Sequence, residues 1–263
     1  MPDGPKVAVL RMEGTNCEEE AYLSFLRSGA SPQYVHVKQV ETGKVRIGDF
    51  DILFIPGGFS AGDYIRAGVI FASRLMAAAG NQVKRFVDEG RPVIGVCNGY
   101  QVLAEANLLP DLGYEERVIS LSFNRSNRFE CRHTYVKVMS RNRVIGGDLM
   151  PAGTVFQVPV AHAEGRFTAS REQVLERLQE GGGQVLFTYC SPGGTDAGYP
   201  WNPPNGSAMN IAGISNREGN VIGLMPHPER AYYGFQMAGA ERASIYGPGK
   251  TFFDAIVRYA IRK

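Results

Sequence analysis

The chain has 263 residues, 44% of them hydrophobic, with 28 basic and 26 acidic side chains and a formal net charge of +2. That length holds one large α/β domain or two small ones, and so small a charge gives no footprint for nucleic acid or an anionic membrane. The four cysteines form no Cys-x-x-Cys pair, no long apolar span occurs, and Met1-Pro2-Asp3-Gly4-Pro5 is not a signal peptide, so no metal ligand set, disulfide framework or membrane span is expected, and a reducing cytoplasm is.

Lys6–Arg11 reads as a buried first strand. Asn16, with Glu19 three residues on, suits an N-cap for a helix reaching about Ser28, where Gly29 stops it. Tyr34–Val40 alternates and reads as a strand, with His36 in its middle. Asp51–Ile55 is an apolar run into Pro56-Gly57-Gly58, a buried strand ending in a tight loop. Ile70–Val87 has helical spacing and Gly90 closes it; Val93–Val96 is the next strand. Strands alternating with helices predict a mostly parallel sheet with helices on both faces.

Beyond Pro110 the pattern changes. Arg117–Phe123, Arg132–Met139 and Thr154–Val160 read as strands without long helices between them, an antiparallel extension. Gln173–Gln179 is a short helix ended by Gly181-Gly182-Gly183. Gln184–Tyr189, Met209–Ser215 and Asn220–Met225 are strands, and Thr251–Ile261 is a terminal amphipathic helix. With no repeat and no flexible linker, residues 1–263 are expected to form one domain. Gly247-Pro248-Gly249-Lys250-Thr251 looks like the end of a phosphate-binding loop, but Ser244 replaces the first glycine and no strand precedes it.

The segment Gly95-Val96-Cys97-Asn98-Gly99-Tyr100-Gln101 is the sulfur counterpart of the Gly-x-Ser-x-Gly strand-to-helix elbow. Its glycines leave room where backbones meet, and a helix N-terminus beneath the sulfur favours thiolate. Cys17, Cys131 and Cys190 lack that setting and read as structural. A cysteine nucleophile needs a base and an orienting carboxylate. His227 follows an apolar strand, and Pro228 disfavours helix there, so an extended His227-Pro228-Glu229 puts both side chains on one side. His162, with Glu164 at i+2, is the rival; His36 and His133 read as structural. The N–H of Asn98 and an N–H of Gly57-Gly58 are the candidate oxyanion donors. In open α/β sheets such groups gather at the carboxyl ends of strands.

With these residues assembled, the chain resembles the class I glutamine amidotransferases. The match runs through Pro56-Gly57-Gly58-Phe59-Ser60-Ala61-Gly62-Asp63-Tyr64-Ile65-Arg66-Ala67-Gly68, the Cys97 elbow, Ala161-His162-Ala163-Glu164-Gly165-Arg166-Phe167, Asn205-Gly206-Ser207 and Met225-Pro226-His227-Pro228-Glu229-Arg230. Within that family it is most similar to the glutaminase subunits of phosphoribosylformylglycinamidine synthases. Ala61 stands where a bulkier residue is expected, Ala163 where glycine is, and the segment from Ala231 is longer than expected.

The resemblance implies that Cys97 attacks the side-chain amide of glutamine, with Gly58 and Asn98 as oxyanion donors and His227, oriented by Glu229, as acid and base. It also implies glutamine binding by Gly57, Gln101 and Arg128. Ammonia would pass to a separate synthetase subunit carrying ATP and magnesium, with a small third subunit left open; this chain itself would need no cofactor. Two rivals stay open: a stand-alone amide or γ-glutamyl hydrolase, and a catalytically silent regulatory subunit.

Overall fold

The computed structural model describes residues 4–140, 142–145, 147–180, 183–239 and 243–263. Among these residues, eleven strands and six α-helices follow in chain order: β1 Lys6–Arg11, α1 Glu18–Arg27, β2 Ser31–His36, α2 Val37–Glu41, β3 Ile52–Ile55, α3 Val69–Asp88, β4 Val93–Val96, α4 Asn98–Glu105, β5 Ile119–Phe123, β6 Glu130–Val138, β7 Val155–His162, β8 Glu164–Ala169, α5 Glu172–Gln179, β9 Val185–Cys190, β10 Ile211–Ser215, β11 Val221–Leu224 and α6 Pro248–Arg262. Nine strands form one sheet in the order β2-β1-β3-β4-β11-β10-β9-β6-β7. The first five run parallel and the rest pair antiparallel, as the change of pattern after Pro110 predicts.

The parallel strands β3, β4 and β11 are buried along their whole length. Their sequences, Ile-Leu-Phe-Ile, Val-Ile-Gly-Val and Val-Ile-Gly-Leu, are the continuous apolar runs that a sheet covered on both faces requires. Phe54 of β3 packs edge-on against Phe25 of α1, which does the same to Phe253 of α6, so these two helices cover one face. Side chains alternate along a strand, so Ile55 points the other way. There α4 approaches so closely that a β-carbon on Gly99 would lie 1.9 Å from the Ile55 carbonyl oxygen. Helix α3 packs beside α4.

Three features differ from the sequence expectations. Val37–Glu41 is helix rather than the end of a strand: the His36 ring accepts from the Lys38 N–H and Gln39 Oε1 from the His36 N–H, a reciprocal cap. Asn16 does not cap α1; Cys17 holds that position without a side-chain bond, and the N–H groups of both residues turn to the Gly57 carbonyl. β8 was not expected, and it pairs with β5 as a separate two-stranded sheet. The segment Gly247–Thr251 opens α6, with Lys250 paired to Asp254. Of the expected stop after α5, Gly181 and Gly182 lie outside the described residues, while Gly183 follows at φ 68°. Among the described residues, no helix is long and apolar enough to cross a membrane.

The close approach of α4 to β3 has a measurable consequence. Gly99→Ala is expected to lower unfolding free energy by about 3 kcal/mol or more in urea titration, since backbone must move. Gly48→Ala, with no atom within 4 Å of the added carbon, should stay within about 0.5 kcal/mol of the parent. Equal stability of the two variants would contradict the packing described.

Candidate active site

Segments following β1, β3, β4 and β11 meet at the carboxyl ends of these neighbouring strands. Register aligns Val96 with Leu224, so Cys97 follows one residue after its strand and His227 three residues after the adjacent one. The Cys97 N–H extends the ladder by donating to the Leu224 carbonyl at 2.8 Å. Cys97 then turns sharply, at φ 51° and ψ −107°, into α4. A non-glycine residue at positive φ is strained, and such strain recurs where a side chain is held out for chemistry. The Asn98 N–H, first of its helix, has no partner within the helix.

His227 and Glu229 are each 1% exposed, and His227 Nδ1 lies 2.5 Å from Glu229 Oε1. The expected extended tripeptide is corrected in detail. Pro228–Ala231 forms a single 3₁₀ turn with His227 at its entrance, and the turn rather than an extended run brings the two side chains together. Burial alone would drive the His227 ring neutral. The Glu229 carboxylate, and after it the Cys97 sulfur, outweigh that and raise the ring's pKa well above the ordinary histidine value. His227 Nε2 is buried without a hydrogen-bond partner.

Gly57 sits where these groups converge. A β-carbon there would lie 2.8 Å from His227 Cε1, 3.1 Å from Cys17 Sγ and 3.3 Å from Cys97 Cβ, so only glycine leaves the space open. Gly58 follows at φ 149°, pressed against the Thr15 and Asn16 backbone. Gln101, one turn into α4, is buried. Its Oε1 accepts from Asn98 Nδ2 at 2.9 Å and its Nε2 donates to the Glu164 carbonyl at 2.5 Å.

Arg128 lies in the turn between β5 and β6 and is exposed, with its carbonyl accepting from Asn124 Nδ2. Its neighbour Phe129 packs on Phe59 at 6.2 Å between ring centroids, which sets this turn against the loop after β3. The guanidinium has no hydrogen bond into the Cys97–His227 cluster.

The rival His162 is also buried, with Nδ1 3.0 Å from Asn124 Oδ1. Burial first, and then the charge on His227, push its pKa down to about 3. It has no carboxylate of its own, because Glu164 turns its carboxylate to the Ala67 N–H. His162 is therefore a neutral neighbour of the His227–Glu229 pair.

Sequence reasoning missed Cys17. Read as a structural residue at a helix start, it lies instead against His227, and Arg230 Nη2 donates to its sulfur at 2.9 Å. The usable signal was its place just after β1, at the same end of the sheet as Gly57 and Cys97. The loop after β3 is strained as well: Ala61, Gly62 and Asp63 all have positive φ, with the Ala61 N–H tied to the Glu13 carbonyl. Asp63 is half-buried, and its carboxyl is pushed up to about 6 by burial and then by Glu164. Arg66 holds the far end of the loop to α4 through both carboxylate oxygens of Glu105, at 2.6 and 2.7 Å.

Residues 4–260 match the CobB/CobQ-like glutamine amidotransferase domain. A Picrophilus torridus protein named phosphoribosylformylglycinamidine synthase subunit PurQ is 51% identical over 251 residues, which is 95% of this chain and 97% of that one. An Archaeoglobus fulgidus protein of the same name is 44% identical, covering 97% and 96% of the two chains. Among solved structures, a chain of "PurLQS from Thermotoga maritima" superposes with TM-score 0.74 at 29% identity, covering 97% of this chain and 99% of that one.

The two buried histidines should behave oppositely. In chelator-treated protein, nitrogen NMR of the imidazoles is expected to show His162 neutral from pH 5 to pH 8 and His227 doubly protonated at pH 7. His162 and His227 titrating together near the ordinary histidine value would overturn this electrostatic assignment.

Proposed function

This chain belongs to the CobB/CobQ-like glutamine amidotransferase family, and from that membership we propose that it is the glutaminase subunit of a phosphoribosylformylglycinamidine synthase. It hydrolyses glutamine to glutamate and hands the ammonia to a separate ATP-dependent synthetase, which makes formylglycinamidine ribonucleotide in purine biosynthesis. The observation that carries this reading is the buried His227–Glu229 pair standing beside Cys97 at the ends of two paired strands.

The chemistry follows from the geometry. The Cys97 sulfur attacks the carboxamide carbon of glutamine, and the charge developing on oxygen is met by the N–H groups of Asn98 and Gly58. His227 gives a proton to the departing nitrogen, so ammonia leaves and a thioester remains. The now neutral ring takes a proton from water as that water adds to the thioester. Glutamate departs, and the thiolate and imidazolium are restored. Glu229 fixes the ring orientation and stabilises its charge throughout. Gly57 keeps the floor of the pocket free of side chains. Gln101 and Arg128 are assigned to the amino-acid end of the substrate, Arg128 pairing with the α-carboxylate.

No nucleotide-binding loop is present in the sequence, and ATP and magnesium are assigned to the synthetase. The assembly is read as including a small third subunit and as working in the cytoplasm. Tyr64 and Ile65 are 89% and 72% exposed at the tip of the loop that begins with Gly57-Gly58. An exposed apolar tip on the loop that carries an oxyanion donor suits docking of the synthetase there, and docking that orders Gly57–Gly68 raises glutaminase activity. A stand-alone hydrolase would run at full rate without that partner.

In the reconstituted assembly, Cys97→Ala is expected to cut glutamine-dependent synthesis by roughly 10³-fold or more. Synthesis from added ammonium should stay within about twofold of the parent. If glutamine still supports synthesis in that variant, or if both nitrogen sources fail together, the reading is wrong.

A further inference from the structure

The mechanism above uses Cys97, His227 and Glu229 and leaves a second buried sulfur beside them unexplained. The Cys17 sulfur, a His227 ring nitrogen and a Glu229 carboxylate oxygen all lie within 4.8 Å of one another, and all three residues are buried. The spot is able to take a ligand, because His227 Nε2 and Glu229 Oε2 are both buried and lack hydrogen-bond partners. We infer that Cys17, His227 and Glu229 form an inhibitory site for a soft divalent transition-metal ion of the zinc class.

The donor set supports that class. Thiolate, imidazole and carboxylate together are zinc ligands, and harder ions such as magnesium avoid sulfur. Around one tetrahedral ion with bonds of about 2.0–2.3 Å the ligand atoms stand roughly 3.3–3.8 Å apart, so small side-chain rotations that part the Glu229 carboxylate from the His227 ring would seat the ion. Cys97 is left out of this ligand set: its sulfur faces the Ala161 carbonyl at 3.7 Å, and it is the nucleophile of the reaction. Arg230 also faces Cys17, and a guanidinium at 2.9 Å repels an arriving cation and must release the sulfur. That competition makes the ion a reversible inhibitor rather than a permanent structural part. Binding displaces one proton from the His227 ring and one from the Cys17 thiol to solvent, and the effect on catalysis is direct: a His227 that ligates metal cannot carry a proton to the leaving nitrogen.

The test uses the whole chain with Cys97→Ala, so that the nucleophile supplies no sulfur, and with Cys131→Ser to remove the exposed thiol. Cobalt(II) titrated into this protein should produce a near-ultraviolet thiolate-to-metal absorption that saturates at one equivalent. Adding Cys17→Ser should abolish it, and Cys17→Ala serves as a second variant should the first melt early. No absorption with Cys17 present, or an absorption unchanged without it, overturns the inference. A second arm rests on the glutaminase reading. In the assembly, Cys17→Ser should raise the zinc concentration for half-inhibition by tenfold or more, each variant being scored against its own metal-free rate, and an unchanged value counts against the site. An intact cobalt signal together with no glutamine hydrolysis by the assembled parent protein, its Cys97 in place, would sink the glutaminase reading and leave the metal site standing.

Discussion

Helix α4 passes so close to β3 and to its own preceding strand β4 that neither glycine of the elbow tolerates a side chain. A β-carbon on Gly99 would meet the Ile55 carbonyl, and one on Gly95 would meet the Gly99 carbonyl oxygen at 2.4 Å. This contact lets β4 reverse into a helix within one residue, and that residue is Cys97. The sulfur is thus held at the sheet's edge by backbone packing. Everything else in the site is arranged around that fixed point: the neighbouring strands β3 and β11 bring Gly57-Gly58 on one side and His227 on the other.

Electrostatics then divides the work between two buried histidines. Desolvation acts on both and favours the neutral ring. His227 has a carboxylate at 2.5 Å, which raises its pKa well above the ordinary value, whereas His162 has only an amide oxygen and burial pushes its pKa down. The difference lies in one partner, Glu229 against Asn124. A buried imidazolium needs a buried counter-charge, because taking an unpaired ion out of water costs several kcal/mol or more. The 3₁₀ turn at Pro228 supplies that partner two residues away and so avoids any dependence on a distant element.

Much of this was legible in the sequence, for physical reasons that differ from element to element. Fully buried parallel strands must be continuous apolar runs, so β1, β3, β4 and β11 were readable, and with them the end of the sheet where a site would form. The elbow was readable because only glycine fits at its crowded positions. Val35, Val37 and Val40 were ambiguous, since their spacing serves both a strand and the first turn of a helix, and it is the local His36–Gln39 cap that decides between them. β8 escaped notice because Glu164, Arg166 and Thr168 alternate with Gly165 and Phe167, leaving too little apolar signal. Cys17 was hidden by its own helix: its sequence setting describes α1, while its chemistry is set by Gly57 from the loop after β3 and Arg230 from the turn after β11. The extra segment after Ala231 buries Tyr232 beneath Tyr246 and against Phe253 of α6, and so completes one face of the sheet.

The central claim is that Cys97, activated by the His227–Glu229 pair, is the group that bonds to glutamine. A diazo-ketone analogue of glutamine tests it most directly, with the adduct located by peptide mass spectrometry in the assembled enzyme. The account predicts a single adduct on Cys97, suppressed by excess glutamine and formed at least roughly tenfold more slowly in Glu229→Gln. An adduct on Cys17, or labelling of Cys97 at the same rate without Glu229, would contradict it.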